Sequence, residues 1–492
     1  MRKFLFALAA LFTAFGLGAK EWRVTDFGAK ADGITVNTRI IQKAIDFVSG
    51  KGGGTLVFTP GSFVTGTVFL KSGVTLYLES GATILGSTNA FDYVMSEVAK
   101  WTALIIAENQ EDVGIVGKGT VNCRGFVTAN SLVQYANRGV VEINMAGDRP
   151  AEPHRPSNLL FRDCTNVTVK GIHLQDPASW NQVYDRCRNV LIEDVTADCK
   201  SYWNNDGLDI VDSEDVVVRN CSFDAADDAF CLKSHSKDHI CQNILIENCT
   251  ARSSASALKF GTRSDGGFRH VRVVDFTVYD TYRSAMTFAT VDGGVLEDIV
   301  VDGVKSYHTG NVIYLREGRR YTEGNTPVMR DITIRNVYAE VPAEKPDKGY
   351  NYEGPVEHMP RNTSPCGIVG VPGFRISGVL LQNIEIVYPG GGSENFAWRG
   401  TSPEELAAIP EMETAYPEFS QFRELPAWGL YIRHADDITL DNVKFRALKA
   451  DYRPALVADD VNGLTLKGVT YTEPSPWKEQ EVFNNVERLV KE

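Results

Sequence analysis

Along most of the chain, apolar and polar residues alternate over short stretches, and one seven-residue phrase keeps returning. Asn166-Val-Thr-Val-Lys-Gly-Ile172 is followed by Asn189-Val-Leu-Ile-Glu-Asp-Val195, Asp215-Val-Val-Val-Arg-Asn-Cys221 and Asn243-Ile-Leu-Ile-Glu-Asn-Cys249. Further copies open at His270, Asp298 and Asp331, and later ones at Gly378, Asp437 and Gly463. Period-two alternation marks a short strand, and the Asn, Asp or Gly marks a bend. Early copies recur about every 23 to 28 residues, which is solenoid spacing. Strands that stack on copies of themselves are parallel and close around a column of Val, Ile and Leu. The predicted fold is therefore all-β, a right-handed parallel β-helix. A leucine-rich repeat would need a leucine spacing and a helical segment that are missing here.

Thr38 to Val48 departs from this rhythm. Ile41, Ala44, Ile45 and Val48 have helical spacing, which predicts a helix capping the open end of the core. Gly52-Gly53-Gly54 then leads into strands through Thr55–Phe58, Val74–Leu78 and Val113–Val116. Beyond Val337 two long excursions interrupt the coils, Pro342 to Phe374 and Pro389 to Ala427. Loops of that length are often functional lids. The second contains Ser402-Pro403-Glu404-Glu405, a capping box opening a short helix. Residues 20–492 read as one elongated domain.

The central strands can be placed in register from their own pattern. Asp206-Gly-Leu-Asp-Ile210, Asp228-Ala-Phe-Cys-Leu232, Ser256-Ala-Leu-Lys-Phe260, Ser284-Ala-Met-Thr-Phe288 and Asn311-Val-Ile-Tyr-Leu315 align. Leu208, Phe230, Leu258, Met286 and Ile313 should point inward. That places Asp206 beneath Asp228, about 4.8 Å away. Asn205, Asp227, Ala255 and Arg283 form the neighbouring column. The outward column reads Asp209, Cys231, Lys259, Thr287, Tyr314, and the next holds Lys233 and Arg316. Stacked like charges cost stability. A lone Asp would be read as a turn cap, but three converging on one face beside Lys233 and Lys259 point to a functional site. Paired carboxylates are the equipment for hydrolysing a glycosidic bond.

Composition narrows the partners. The 492 residues carry a formal net charge of −13, with 43% hydrophobic and 23% charged residues, a globular balance. Nucleic acid is excluded, since it needs a basic footprint. A polyanionic substrate would need local cations. The nine cysteines form no disulfide framework, and Cys164, Cys187, Cys221 and Cys249 recur at equivalent places, as stacked buried thiols would. With no CxxC pair or His cluster beside them, no metal site is expected. Residues 1–19 have a charged start, an apolar run from Phe4 to Phe15 and a small-residue exit, the pattern of a signal peptide. That run is too short to span a bilayer, so the expected protein is exported, to a periplasm or beyond, without stable membrane insertion.

Asn204-Asn205-Asp206-Gly207 resembles the Asn-Thr-Asp-Gly motif of glycoside hydrolase family 28, the polygalacturonases and rhamnogalacturonan hydrolases. Asp227-Asp228 with Leu232-Lys233-Ser234 resembles that family's Asp-Asp motif. Trp180 followed by Cys187-Arg-Asn-Val190 is similar to its tryptophan coil, and Phe27 to Gly33 to the usual opening of pectin-degrading β-helices. The resemblance runs from about Val24 to Val337. It implies that Asp227 is the general acid, that Asp206 and Asp228 activate water, and that the anomeric configuration inverts. It also implies that no metal or other cofactor is needed, and that the substrate is a pectic polysaccharide or oligosaccharide. Inversion leaves about 6.5–9.5 Å between acid and base.

Two departures bear on specificity. Where polygalacturonases carry Gly-His-Gly, this chain has Ser254-Ala255-Ser256-Ala257. Their Arg-Ile-Lys motif, which grips a galacturonate carboxylate, falls near Ala285-Met286-Thr287-Phe288, without either cation. Lys259 or Arg283 are the expected replacements. Trp180, Asn205, Lys233, Tyr314 and Arg316 join them as candidate substrate contacts, with Arg433 and His434 beside the second excursion. Excursions closing one end of a cleft would favour exo-action on a galacturonide. The competing readings are another α-linked plant or algal glycan, a polysaccharide lyase on the same scaffold, and a glycan-binding β-helix without catalysis.

Overall fold

The computed structural model describes residues 20–321, 326–347, 364–392, 400–474 and 479–492. The predicted signal segment, residues 1–19, lies outside them, as do 348–363 of the first excursion and 393–399 of the second. Contacts divide the chain into two compact units. One comprises residues 1–227 with 244–249, the other residues 228–243 with 250–492. Each is a run of right-handed parallel β-helix coils.

In the first unit each full coil contributes three strands. One stack runs through Gly54–Phe58, Val74–Leu78, Glu111–Gly117, Thr165–Lys170, Arg188–Glu193 and Glu214–Arg219. A second includes Gly61–Thr65, Ala82–Gly86, Thr120–Asn122, His173–Gln175, Thr196–Cys199 and Ser222–Ala225. The third holds Val68–Phe69, Ala103–Glu108, Ser157–Arg162, Gln182–Asp185 and Leu208–Val211. Val167, Val190 and Val216 pair in register, and Val169, Ile192 and Val218 form the next buried column.

The polar residues of the repeat have a conformational cause. Its first position is left-handed in every copy, with φ of 58° at Asn166, 56° at Asn189, 57° at Asp215, 55° at His270 and 52° at Asp298. Its sixth is left-handed too, with φ of 77° at Gly171, 55° at Asp194, 56° at Asn220 and 54° at Asp275. Asn, Asp and Gly tolerate that region where β-branched residues do not. The asparagines also stack: Asn189 Nδ2 donates to Asn166 Oδ1 at 2.6 Å, and Asn166 Nδ2 to Asp112 Oδ1 at 2.8 Å. Gly53 is fixed by space as well as by its φ of 97°, because a Cβ there would sit 2.6 Å from the Gly73 carbonyl oxygen.

Helix α1, Thr38–Gly50, buries Ile41, Ala44, Ile45 and Val48 over the first coils, the four positions its spacing predicts. A second helix, α2, Gly125–Asn137, was not legible in the pattern. It buries only Gly125, Thr128, Ala129 and Leu132, too small and mixed a set to give an apolar stripe. All nine cysteines are buried, and none is joined in a disulfide.

In the second unit the strands lengthen and run through the bends, as in Gly267–Thr290, Val295–Glu317, Val328–Glu340, Ile376–Gly390, Leu430–Lys449 and Leu456–Lys467. Register agrees with the sequence alignment: Cys231 pairs with Lys259, Lys259 with Thr287 and Thr287 with Tyr314. That column continues to Gly367, Tyr431 and Val457. The second excursion packs onto it. Helix α3, Pro403–Ala407, has the expected Ser402–Glu405 capping box, and Leu406, Ile409, Phe419 and Phe422 share a core with Tyr314, Val369 and Tyr431.

Candidate active site

The two signature motifs sit at corners where a bend delivers carboxylates to the start of a strand. In the first unit the turn before Leu208–Val211 carries Asn204, Asn205 and Asp206, with Asn204 left-handed at φ 54°. Asn205 is fully buried, and its amide locks this turn. Its Oδ1 accepts from the Ser201 and Tyr202 amides at 3.0 and 2.7 Å, and its Nδ2 donates to the Pro177 and Ser179 carbonyls. Asn205 therefore shapes the corner, and its side chain is committed to backbone.

Arg155, unnoticed in the sequence, braces the same corner from within. It is 1% exposed and donates to the carbonyls of Pro150, Ala178 and Trp203 and to Asn204 Oδ1. Burial pushes its guanidinium down to about 10, against the charge of nearby Asp206 and Glu152. No periodicity could have singled it out, because it lies in an irregular stretch between strands. Asp206 is buried, and Asn181 and Gln182 hold the carbonyl of Gly207 beside it. Asp227 is half-buried; its amide donates to the Asn205 carbonyl, and its Oδ2 accepts from Asn204 Nδ2 at 3.4 Å. Trp180 packs against Trp101 with ring centroids 4.8 Å apart, over Ala103, Leu160 and Val211.

In the second unit, Asp228 and Lys259 form a buried ion pair, Nζ to Oδ2 at 2.7 Å. Asp228 Oδ1 accepts from the Ser256 amide at 3.1 Å. Burial opposes its ionised form, but Lys259, Lys233 and Arg283 together hold the carboxyl below its usual range. Lys259 is likewise desolvated, yet Asp228 keeps its ammonium well above the usual value. The same Nζ donates to Tyr416 Oη at 2.7 Å. Arg283 pairs with Glu418 at 2.7 Å, both buried. Tyr416 and Glu418 come from the second excursion, so that excursion is tied to the candidate cations themselves.

The remaining candidates are buried and engaged. Tyr314 is in edge contact with Phe419, and Arg316 donates to the Glu411 and Met412 carbonyls at 2.7 and 2.8 Å. Arg433 meets Glu411 and Asp459, and His434 sits between Glu411 and Asp460. Lys233 is 4% exposed. Tyr314, Arg316, Arg433 and His434 anchor the second excursion to the coils.

The sequence model described as "Glycosyl hydrolases family 28" matches residues 57–340. An exo-poly-alpha-D-galacturonosidase of Dickeya chrysanthemi is 29% identical over 294 residues, 50% of this chain and 48% of that protein. A Vitis vinifera protein named "Probable polygalacturonase" is 24% identical over 468 residues, 86% of each chain. This chain thus spans about half the length of the first relative and most of the second. The solved structure of a hyperthermoactive exopolygalacturonase from Thermotoga maritima has the same fold, with a TM-score of 0.65 at 19% identity over 90% of this chain and 96% of that one.

Proposed function

Taking as premise that the chain belongs to glycosyl hydrolases family 28, we propose that it hydrolyses α-glycosidic bonds of a pectic polysaccharide or oligosaccharide. The preferred substrate is a galacturonide attacked from one end, with inversion. The observation that carries this reading is the buried Asp228–Lys259 ion pair at 2.7 Å. With Lys259 against it, Asp228 is suited to stay a carboxylate beside the attacking water and not to serve as the acid. Asp227, half-buried and approached by Asn204, is the group that protonates the leaving oxygen. Asp206 and Asp228 take the proton of the attacking water. One proton leaves Asp227 and one reaches a carboxylate base, so the chain is ready again after a proton exchange with solvent.

A lid anchored through Lys259, Arg283 and Arg316 supports exo-action, because an end that is closed admits only a chain terminus. Among the described residues no helix is long and apolar enough to cross a membrane. Residues 1–19 have the pattern of an export signal, which suits a polymer found outside the cell. The test is proton NMR of the first sugar released from trigalacturonate. A monosaccharide of the opposite anomer supports the reading, and Asp227→Asn should lose at least about two orders of magnitude in kcat. A retained anomer or an unsaturated product overturns it, the latter in favour of a lyase.

A further inference from the structure

We propose that Arg149 and Trp203 form a subsite beside Asp227 that takes the ring face and the carboxylate of a uronate unit. This inference rests on the galacturonide reading above. Trp203 directly precedes Asn204 and remains 38% exposed, unusual for so large an apolar side chain next to a buried turn. Aromatic faces of this kind suit the C–H face of a sugar ring. Arg149 lies over that ring, Cζ 4.5 Å from its centroid, carried there by a two-stranded ribbon, Met145–Ala146 against Arg149–Pro150.

Arg149 is distinguished by carrying its charge over an exposed aromatic ring. Among the described residues its guanidinium makes no hydrogen bond and no ion pair. Elsewhere in the same unit Arg162, Arg186, Arg188 and Arg219 each meet a carboxylate. In a chain with 63 acidic and 50 basic residues, an arginine left unpaired on an aromatic face is a binding group for an anion. The expected clamps are already neutralised, Lys259 by Asp228 and Arg283 by Glu418. The platform is also mechanically joined to the chemistry. Arg155 holds the Trp203 carbonyl at 2.6 Å and Asn204 Oδ1 at 2.9 Å, and Asn204 reaches Asp227.

The test is calorimetric binding of trigalacturonate and of its methyl ester, with tryptophan fluorescence recorded alongside. Arg149→Gln should weaken binding of the acid by roughly ten- to a hundred-fold and leave the ester unchanged, the loss of one charge-assisted contact. Arg149→Lys should recover part of it. Trp203→Phe should abolish the fluorescence change, and Trp203→Ala should weaken acid and ester alike. Trp203 is exposed and Arg149 is half-buried without an ion pair among the described residues, so the thermal midpoint should fall little. If Arg149→Gln affects acid and ester equally, or neither, the arginine merely anchors the ribbon and the subsite is overturned. Absence of wild-type binding overturns it also. Binding that follows the expected pattern without any sugar release upholds the subsite and removes the hydrolase reading instead.

Discussion

At the scale of single residues, Lys259 shows how burial redefines a side chain. From the sequence it is an outward lysine near missing cations, a candidate to grip substrate. In the structure both it and Asp228 are about 3% exposed and joined at 2.7 Å. Removing one partner strands the other charge, which costs about 3–5 kcal/mol. Lys259→Met should therefore lower the thermal midpoint and depress kcat more than it raises KM. It should also move the acidic limb of the pH–rate profile upward, since the burial that raises Asp228 would lose its strongest opponent. A variant with an unchanged midpoint and a higher KM for uronides alone would return Lys259 to the substrate.

At the scale of elements, the coil is set by its two bends as much as by its apolar columns. Asn189 is left-handed at φ 56° and donates to Asn166 at 2.6 Å. Asn189→Val would force a β-branched residue into that region and break the ladder. The expected cost is about 1–2 kcal/mol for the backbone and about 1 kcal/mol for the hydrogen bond. Asn189→Gly keeps the conformation and should lose only the second part. Chemical denaturation of the three proteins checks the order wild type, Gly, Val; a valine variant as stable as glycine would mean the bend is not what selects asparagine.

At the scale of the whole molecule, stability against pH should report internal carboxyls, Glu317 above all. Glu317 is 1% exposed, neither of its oxygens has a hydrogen-bond partner among the described residues, and burial pushes it up to about 8 from 4.5, only partly offset by Arg316. Between those two values the unfolded chain has released this proton and the folded protein has not. Stability thus falls as pH rises through that window, by up to roughly 1.4 kcal/mol per pH unit. Glu317→Gln should leave the midpoint unchanged near pH 4 and raise it increasingly towards pH 8. A constant difference across the range would mean that Glu317 does not titrate there.

The sequence by itself determined the coil. Period-two alternation, polar residues at the first and sixth positions and near-constant spacing are local demands, met by each strand and bend on its own. The register from Cys231 to Tyr314, helix α1 and the α3 capping box were legible for the same reason. Both signature motifs are legible as well, because they are continuous in the chain. Only the tertiary structure decided what the cations do. Arg155 braces the Asn204 corner from 49 residues away, and Tyr416 meets Lys259 from 157 residues away. Whether a lysine faces substrate or an aspartate depends on burial and on a partner that folding brings in. A strand's alternation fixes the side on which a side chain emerges, and leaves open what it finds there.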